Sequence, residues 1–129
     1  MYILRAARSS GERSIVPEVV VIRTPIDRSA LGPYSLDGDL AKAVVDVGRG
    51  VMSIGGDLHS DEEQVLLDDG SRQRDLWGIN LYLSRQLADW IEFDSMINLR
   101  PSQGNRSRGV DDPVTRDKIV LVVQSLVRG

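Results

Sequence analysis

Arg100-Pro101-Ser102-Gln103-Gly104-Asn105-Arg106-Ser107-Arg108-Gly109-Val110-Asp111-Asp112-Pro113 separates two different hydrophobic patterns. It carries three arginines, two glycines and a row of small hydrogen-bonding side chains, with no aliphatic or aromatic residue before Val110. Such a segment cannot fold by burying itself, so its flanks or a ligand must hold it. Upstream, Ile91 to Leu99 alternates: Ile91, Phe93, Ile97 and Leu99 point one way, with Ser95 among them. Glu92, Asp94, Met96, Asn98 and Arg100 point the other way, which is the period of a strand. Downstream, Asp112 before Pro113 is an N-cap followed by proline at the first helical position. The apolar run Ile119-Val120-Leu121-Val122-Val123 to Val127 is then a helix, despite its β-branched content. A strand followed by a long helix, with other strands upstream, predicts α+β rather than alternating βαβ units.

Working toward the N-terminus, Leu76 to Leu83 reads as a strand with Trp77, Ile79 and Leu81 on one side. Lys42–Val47 and Val51–Gly55 are two strand-like runs joined by Gly48-Arg49-Gly50, a glycine-bearing hairpin link. Ser60-Asp61-Glu62-Glu63 is a capping box, and Gly70 suits the position just past a helix end. Those signals predict a short capped helix near residues 61–69. Glu18 to Arg23 is a β-branched strand stopped by Thr24-Pro25, and Asp27 is read as the cap of a short helix through Leu31. The expected architecture is a mostly antiparallel sheet with one face covered by the C-terminal helix. Residues 1–17, with Arg5, Arg8 and Arg13 around Ser9-Ser10-Gly11, read as a frayed tail, and 18–129 as a single α+β domain.

Composition bounds the function. The 129 residues suit one domain, with 41% hydrophobic and 27% charged residues. The absence of cysteine excludes thiolate chemistry and fits a reducing, cytoplasmic setting. A single histidine, His59, excludes sites that need two imidazoles. The net charge of −3 argues against nucleic acid as a partner. No run approaches the ~18 apolar residues of a membrane helix, so no membrane partner is expected.

Lys42-Ala43-Val44-Val45-Asp46-Val47, Ile54-Gly55-Gly56-Asp57-Leu58-His59-Ser60-Asp61, Leu76-Trp77-Gly78-Ile79-Asn80 and Glu92-Phe93-Asp94-Ser95-Met96-Ile97-Asn98 carry a resemblance. With the arginine loop behind them, they make the chain resemble a small bacterial family known only as a domain of unknown function. The likeness runs from about residue 18 to the end. It implies a compact domain and brings no activity, cofactor or catalytic residue with it. The chain departs from the family at the tail and at Gly32-Pro33, where a longer helix is expected.

Two regions can carry chemistry. One is the polar sheet face, with Lys42, Asp46, Asn80, Glu92, Asp94 and Asn98, and with Gly55 and Gly78 leaving room above it. Its plain reading is a solvated outer face; the alternatives are a ligand-binding face or a subunit interface. The other is the loop, where Asn98, Arg100, Gln103, Asn105, Arg106, Ser107 and Arg108 are the ligand-binding candidates. Arginine forks fit phosphate and carboxylate, and the loop leads into a helix N-terminus. Against this stands internal bracing of Arg106 and Arg108 by Asp94, Asp111, Asp112 or the acidic stretch at residues 61 to 63. If the protein is an enzyme, Asp46 or Asp94 is the candidate base and the arginines stabilise negative charge. No metal or cofactor is expected, because acidic residues around His59 suit a helix start. The function read here is binding of a small anionic ligand. The alternative is a homo-oligomeric interaction module, because Ile119–Val123 is apolar nearly all round.

Overall fold

The computed structural model describes residues 18–129; the expected tail lies outside the described residues. The strands are β1 (Val20–Ile22), β2 (Ile26–Asp27), β3 (Leu40–Asp46), β4 (Val51–Ile54), β5 (Leu76–Tyr82), β6 (Ile91–Glu92) and β7 (Val127–Arg128). The helices are α1 (His59–Asp68) and α2 (Pro113–Leu126). Five strands form an antiparallel sheet in the order β1-β4-β3-β5-β6, while β2 and β7 pair separately and in parallel.

The two faces of the sheet bury different clusters. On one, Ala43, Val45, Met52, Ile54, Ile79 and Leu81 pack with Ile119, Val122, Val123 and Leu126 of α2. Asp112 caps this helix, its carboxylate accepting from the Val114 amide, as the aspartate-proline pair predicts. On the other face Val21, Val44, Val51 and Leu76 pack with Leu66 of α1. β3 and β5 lie inside the sheet and are buried along nearly their whole length, which is why their sequences read as continuous apolar runs. Each fully buried aliphatic side chain contributes roughly 1.5–3 kcal/mol.

The hairpin forms as expected. Gly50 takes φ 71°, a backbone conformation glycine adopts without steric cost. Helix α1 ends as the sequence predicts. Gly70 follows the C-cap, with Gly70 N donating to Leu67 O at 3.1 Å and Ser71 N to Leu66 O at 2.9 Å.

Several expectations need correction. The strand drawn from Ile91 to Leu99 stops at Glu92. Ser95 accepts from the Ile97 amide and closes a 3-10 turn over Met96–Asn98, because short polar side chains compete for the backbone. Ile97 therefore packs on the α1 side and Leu99 is exposed. The polar sheet face is not solvated: α1 and this turn cover it, leaving Asp46, Ser53, Asn80 and Asn98 buried. The capping box does not form either. Helix α1 starts with His59, behind Leu58 at the N-cap, so Ser60 falls inside the first turn. Asp27 makes no side-chain cap, and only a 3-10 turn, Arg28–Ala30, follows it. Finally, α2 ends at Leu126, and Val127 pairs with Ile26 instead of extending the helix.

Candidate functional site

The arginine loop is held mainly by its own polar side chains. Asn105 is buried, and its Nδ2 donates to the carbonyls of Asn98, Ser107 and Gly109 at 2.7, 3.1 and 2.8 Å. Its Oδ1 accepts from the Asp111 amide at 2.8 Å. Ser107 donates to Asp111 Oδ1 at 2.5 Å, and the Arg106 amide donates to Asp111 Oδ2 at 2.8 Å. These bonds hold the Asp111 carboxyl below the usual range. Arg100 folds back onto the end of β5. It donates to the carbonyls of Gln73 (2.7 Å) and Leu76, and its guanidinium stacks 4.3 Å from the Trp77 ring centre. Gln103 donates to the Arg74 carbonyl at 2.8 Å.

Asn98 does the work of a missing strand. β6 pairs only with Asn80 and Leu81, so Gly78 has no strand beside it on that edge. The Asn98 carboxamide takes the place: Oδ1 accepts from Gly78 N at 2.8 Å and Nδ2 donates to Gly78 O at 3.0 Å. Nδ2 also donates to the Arg108 carbonyl at 2.9 Å, which ties the loop to the sheet. Gly78 must be glycine here, since a Cβ would stand 2.5 Å from Ser95 Cβ.

Of the predicted loop residues, Arg108 lines a cleft. Its Nε donates to Asp94 Oδ1 at 2.8 Å, and its terminal amino groups have no partner among the described residues. Asp94 is thus an orienting partner for Arg108. Asp46 is four residues along β3 from Lys42, roughly 13 Å away. It is fully buried, with Oδ1 accepting from the amides of Gly48 and Arg49 at 2.8 and 2.9 Å and Oδ2 without a partner among the described residues. The Arg106 side chain is exposed and makes no ion pair or hydrogen bond among the described residues.

The cleft itself has a volume of about 200 Å³. Lys42, His59, Ser60, Ser95 and Arg108 give it polar walls; Leu58, Met96 and Ile97 give it apolar ones. Lys42 comes from the middle strand, half-buried and without a carboxylate partner among the described residues. Ser95 is 1% exposed; its Oγ accepts from Ile97 N at 3.3 Å, and its hydroxyl proton has no acceptor among the described residues. His59 and Ser60 are the first residues of α1, so their amides lack intrahelical acceptors and lie at the positive end of the helix.

His59 anchors this corner. Its Nε2 lies 2.8 Å from the Ile79 carbonyl, an acceptor, so Nε2 carries the proton and Nδ1 is the base nitrogen of the neutral ring. Burial holds the imidazole below the ordinary histidine value, against the upward pull of that carbonyl. Below the cleft, the sheet register sets Lys42, Asn80 and Glu92 side by side on β3, β5 and β6. Asn80 donates to Glu92 Oε1 at 2.8 Å and to the Asp94 carbonyl at 3.2 Å. One turn along α1, Glu62 is wholly buried. Its Oε2 accepts from Gly56 N at 2.9 Å, while Oε1 has no partner. Burial pushes this carboxyl well above the ordinary range.

A model describing a protein of unknown function matches residues 20–126. The chain belongs to the DUF5674 family. Comparison with curated proteins found no match, and neither did comparison with solved structures. The family's region thus spans the whole sheet, α2 and every residue of the cleft. No group of metal-binding side chains occurs among the described residues, and none of their helices is long and apolar enough to cross a membrane.

Sequence reasoning selected Arg108, named Lys42 only as part of the polar sheet face, and missed Ser60 and Ser95 as site residues. A signal for Lys42 was present: it is the one cation inside the run Leu40–Asp46, where every neighbour is apolar until the terminal aspartate. Ser95 gave a weaker signal, as the polar interruption of an apolar stripe.

Proposed function

We propose that the protein binds a small phosphate- or carboxylate-bearing ligand in the cleft between the start of α1 and the Met96–Asn98 turn. The observation carrying this reading is that donors without partners converge there. They are the Lys42 ammonium, the outer nitrogens of Arg108 and the Ser95 hydroxyl. A half-buried ammonium that forms no ion pair among the described residues is favoured by an anion arriving beside it. The first amides of α1 add two further donors and a favourable field. Arg108 is pre-oriented by Asp94, so little side-chain freedom is lost when an anion arrives.

Binding is followed by thermal shift and calorimetry, with phosphate and dicarboxylates at fixed ionic strength. Wild type is expected to be stabilised by about 2.7 kcal/mol at a hundred times the dissociation constant. Lys42→Met is expected to bind roughly 10–100-fold more weakly, the worth of one charged hydrogen bond. Equal binding by wild type and Lys42→Met would remove the reading.

A second reading, a homo-oligomeric module, draws on α2. Val114 and Leu121 lie seven residues apart, hence on one side of the helix, and both are exposed, Leu121 by 63%. Light scattering at micromolar concentration tests it: a mass of 14.3 kDa would eliminate it.

A further inference from the structure

We propose that the ligand of this cleft is a small organic anion, with the charge at one end and a compact apolar body, ring-sized rather than chain-like, at the other. The inference rests on the anion-binding reading and adds the class of molecule. The cleft lining is mixed. Lys42, Ser95 and Arg108 supply donors, while Leu58, Met96 and Ile97 make the remaining wall.

Volume separates an organic anion from a bare one. About 200 Å³ is comparable with a cavity of ~150 Å³ that takes a single benzene ring. Inorganic phosphate has only five non-hydrogen atoms, so a bare ion would leave space against Leu58 and Met96 filled by water. The same volume is too small for a long acyl chain.

The apolar wall is also the part of the site that the fold leaves uncovered. Leu58 is 56% exposed and Met96 60% exposed, one at the start of α1 and the other in the Met96–Asn98 turn. Leu58 holds the N-cap position of α1, where serine, threonine, asparagine or aspartate would stabilise the helix better. Met96 opens the turn whose backbone is fixed by Ser95, so its side chain is free to be polar. Neither residue is apolar for the sake of its local structure. A ligand with an apolar body beside its charge gives both a partner, and methionine adapts well to an aromatic one.

The experiment compares matched pairs by calorimetry at fixed ionic strength: inorganic phosphate against phenyl phosphate, and acetate against benzoate. The two pairs tell a phosphate head from a carboxylate one. In wild type, the aryl member of one pair is expected to bind at least tenfold more tightly than its bare counterpart. The double variant Leu58→Ala, Met96→Ser should lose that advantage, so that the aryl and bare members of each pair bind it about equally. Leu58→Ala leaves the first amides of α1 open, and both positions are exposed, so the variant should fold; circular dichroism checks this. If bare and aryl anions bind wild type equally, or if the aryl advantage survives in the double variant, the apolar-body inference is overturned while the anion site stands. If no anion of either pair binds wild type, the anion site itself fails and this inference with it.

Discussion

Replacing Asn98 with aspartate tests whether a side chain stands in for a strand. The exchange hardly alters shape, yet it removes both donations of Nδ2, to the carbonyls of Gly78 (3.0 Å) and Arg108 (2.9 Å). The bond accepted from Gly78 N survives. Each lost bond costs on the order of 1 kcal/mol net, and each buried carbonyl left unpaired adds about 1–3 kcal/mol. Some of this is recovered where Arg108 O still accepts from Ser95 N at 2.9 Å. The expected loss is therefore about 3–5 kcal/mol, or roughly 10–20 °C in Tm for a chain of this size. The loss should depend on pH. The introduced carboxyl lies between two carbonyl oxygens, so its folded-state pKa is raised, and its protonated form regains one donation. The penalty is full above the raised folded-state value, shrinks as the pH falls below it, and stops shrinking near the ordinary aspartate value of about 3.9. Urea unfolding of both proteins across pH 4–8 measures it. A loss below about 1 kcal/mol, or a difference that does not narrow toward acid, would refute the strand-substitute account.

Glu62→Gln should flatten the pH dependence of stability. Because burial raises the Glu62 pKa, its contribution is full below about pH 4.5 and is lost as pH rises through the folded-state value, at about 1.4 kcal/mol per tenfold gain in proton affinity. A glutamine variant that keeps the wild-type slope in denaturation titrations would assign the slope elsewhere. His59 acts in the opposite sense: its lowered pKa gives a contribution present above about pH 6.5 and lost as pH falls below it. Gly78→Ala should cost about 1–3 kcal/mol, since its new methyl meets Ser95, and should weaken any anion binding through Ser95 as well. Unchanged thermal stability would show that the turn yields freely. Arg106→Ala should change stability by less than about 0.5 kcal/mol, whereas Arg100→Ala should cost about 2–3 kcal/mol, with two carbonyls and the Trp77 ring losing their partner. Equal losses for the two arginines, by chemical denaturation, would contradict the division of the loop described above.

The main elements were legible because their signals are local and redundant. β3, β4 and β5 are apolar runs bounded by glycine or aspartate, and the Asp112-Pro113 start and Gly70 stop are written in single residues. The errors came where a tertiary partner outbid a local pattern. Ile91 to Leu99 alternates well enough to be a strand, but Ser95 and Asn98 bond backbone groups instead. Likewise, Ser60 and Glu63 match a capping box, while the burial of His59 and Glu62 fixes where the helix begins. In the loop, residue types suited to ligands were correctly recognised as hydrogen-bonders. Nothing in their order told that Asn98, Asn105 and Arg100 bond backbone carbonyls, or that the unengaged donors lie across the sheet on Lys42 and Ser95.

The parallel pairing of β2 with β7 also governs the order in which the molecule can be made. Ile26 meets Val127, and Arg128 reaches the Pro25 carbonyl, 103 positions back along the chain. Closing so long a loop costs about 4 kcal/mol of chain entropy before any contact repays it. Helix α2, which covers the larger apolar cluster, lies immediately before β7. A nascent chain leaving the ribosome can therefore assemble β3, β4 and β5 early, but one side of that sheet stays bare until residues 113–128 have emerged. During this interval that apolar face is open to other chains, which makes it the place where misassembly during synthesis would start.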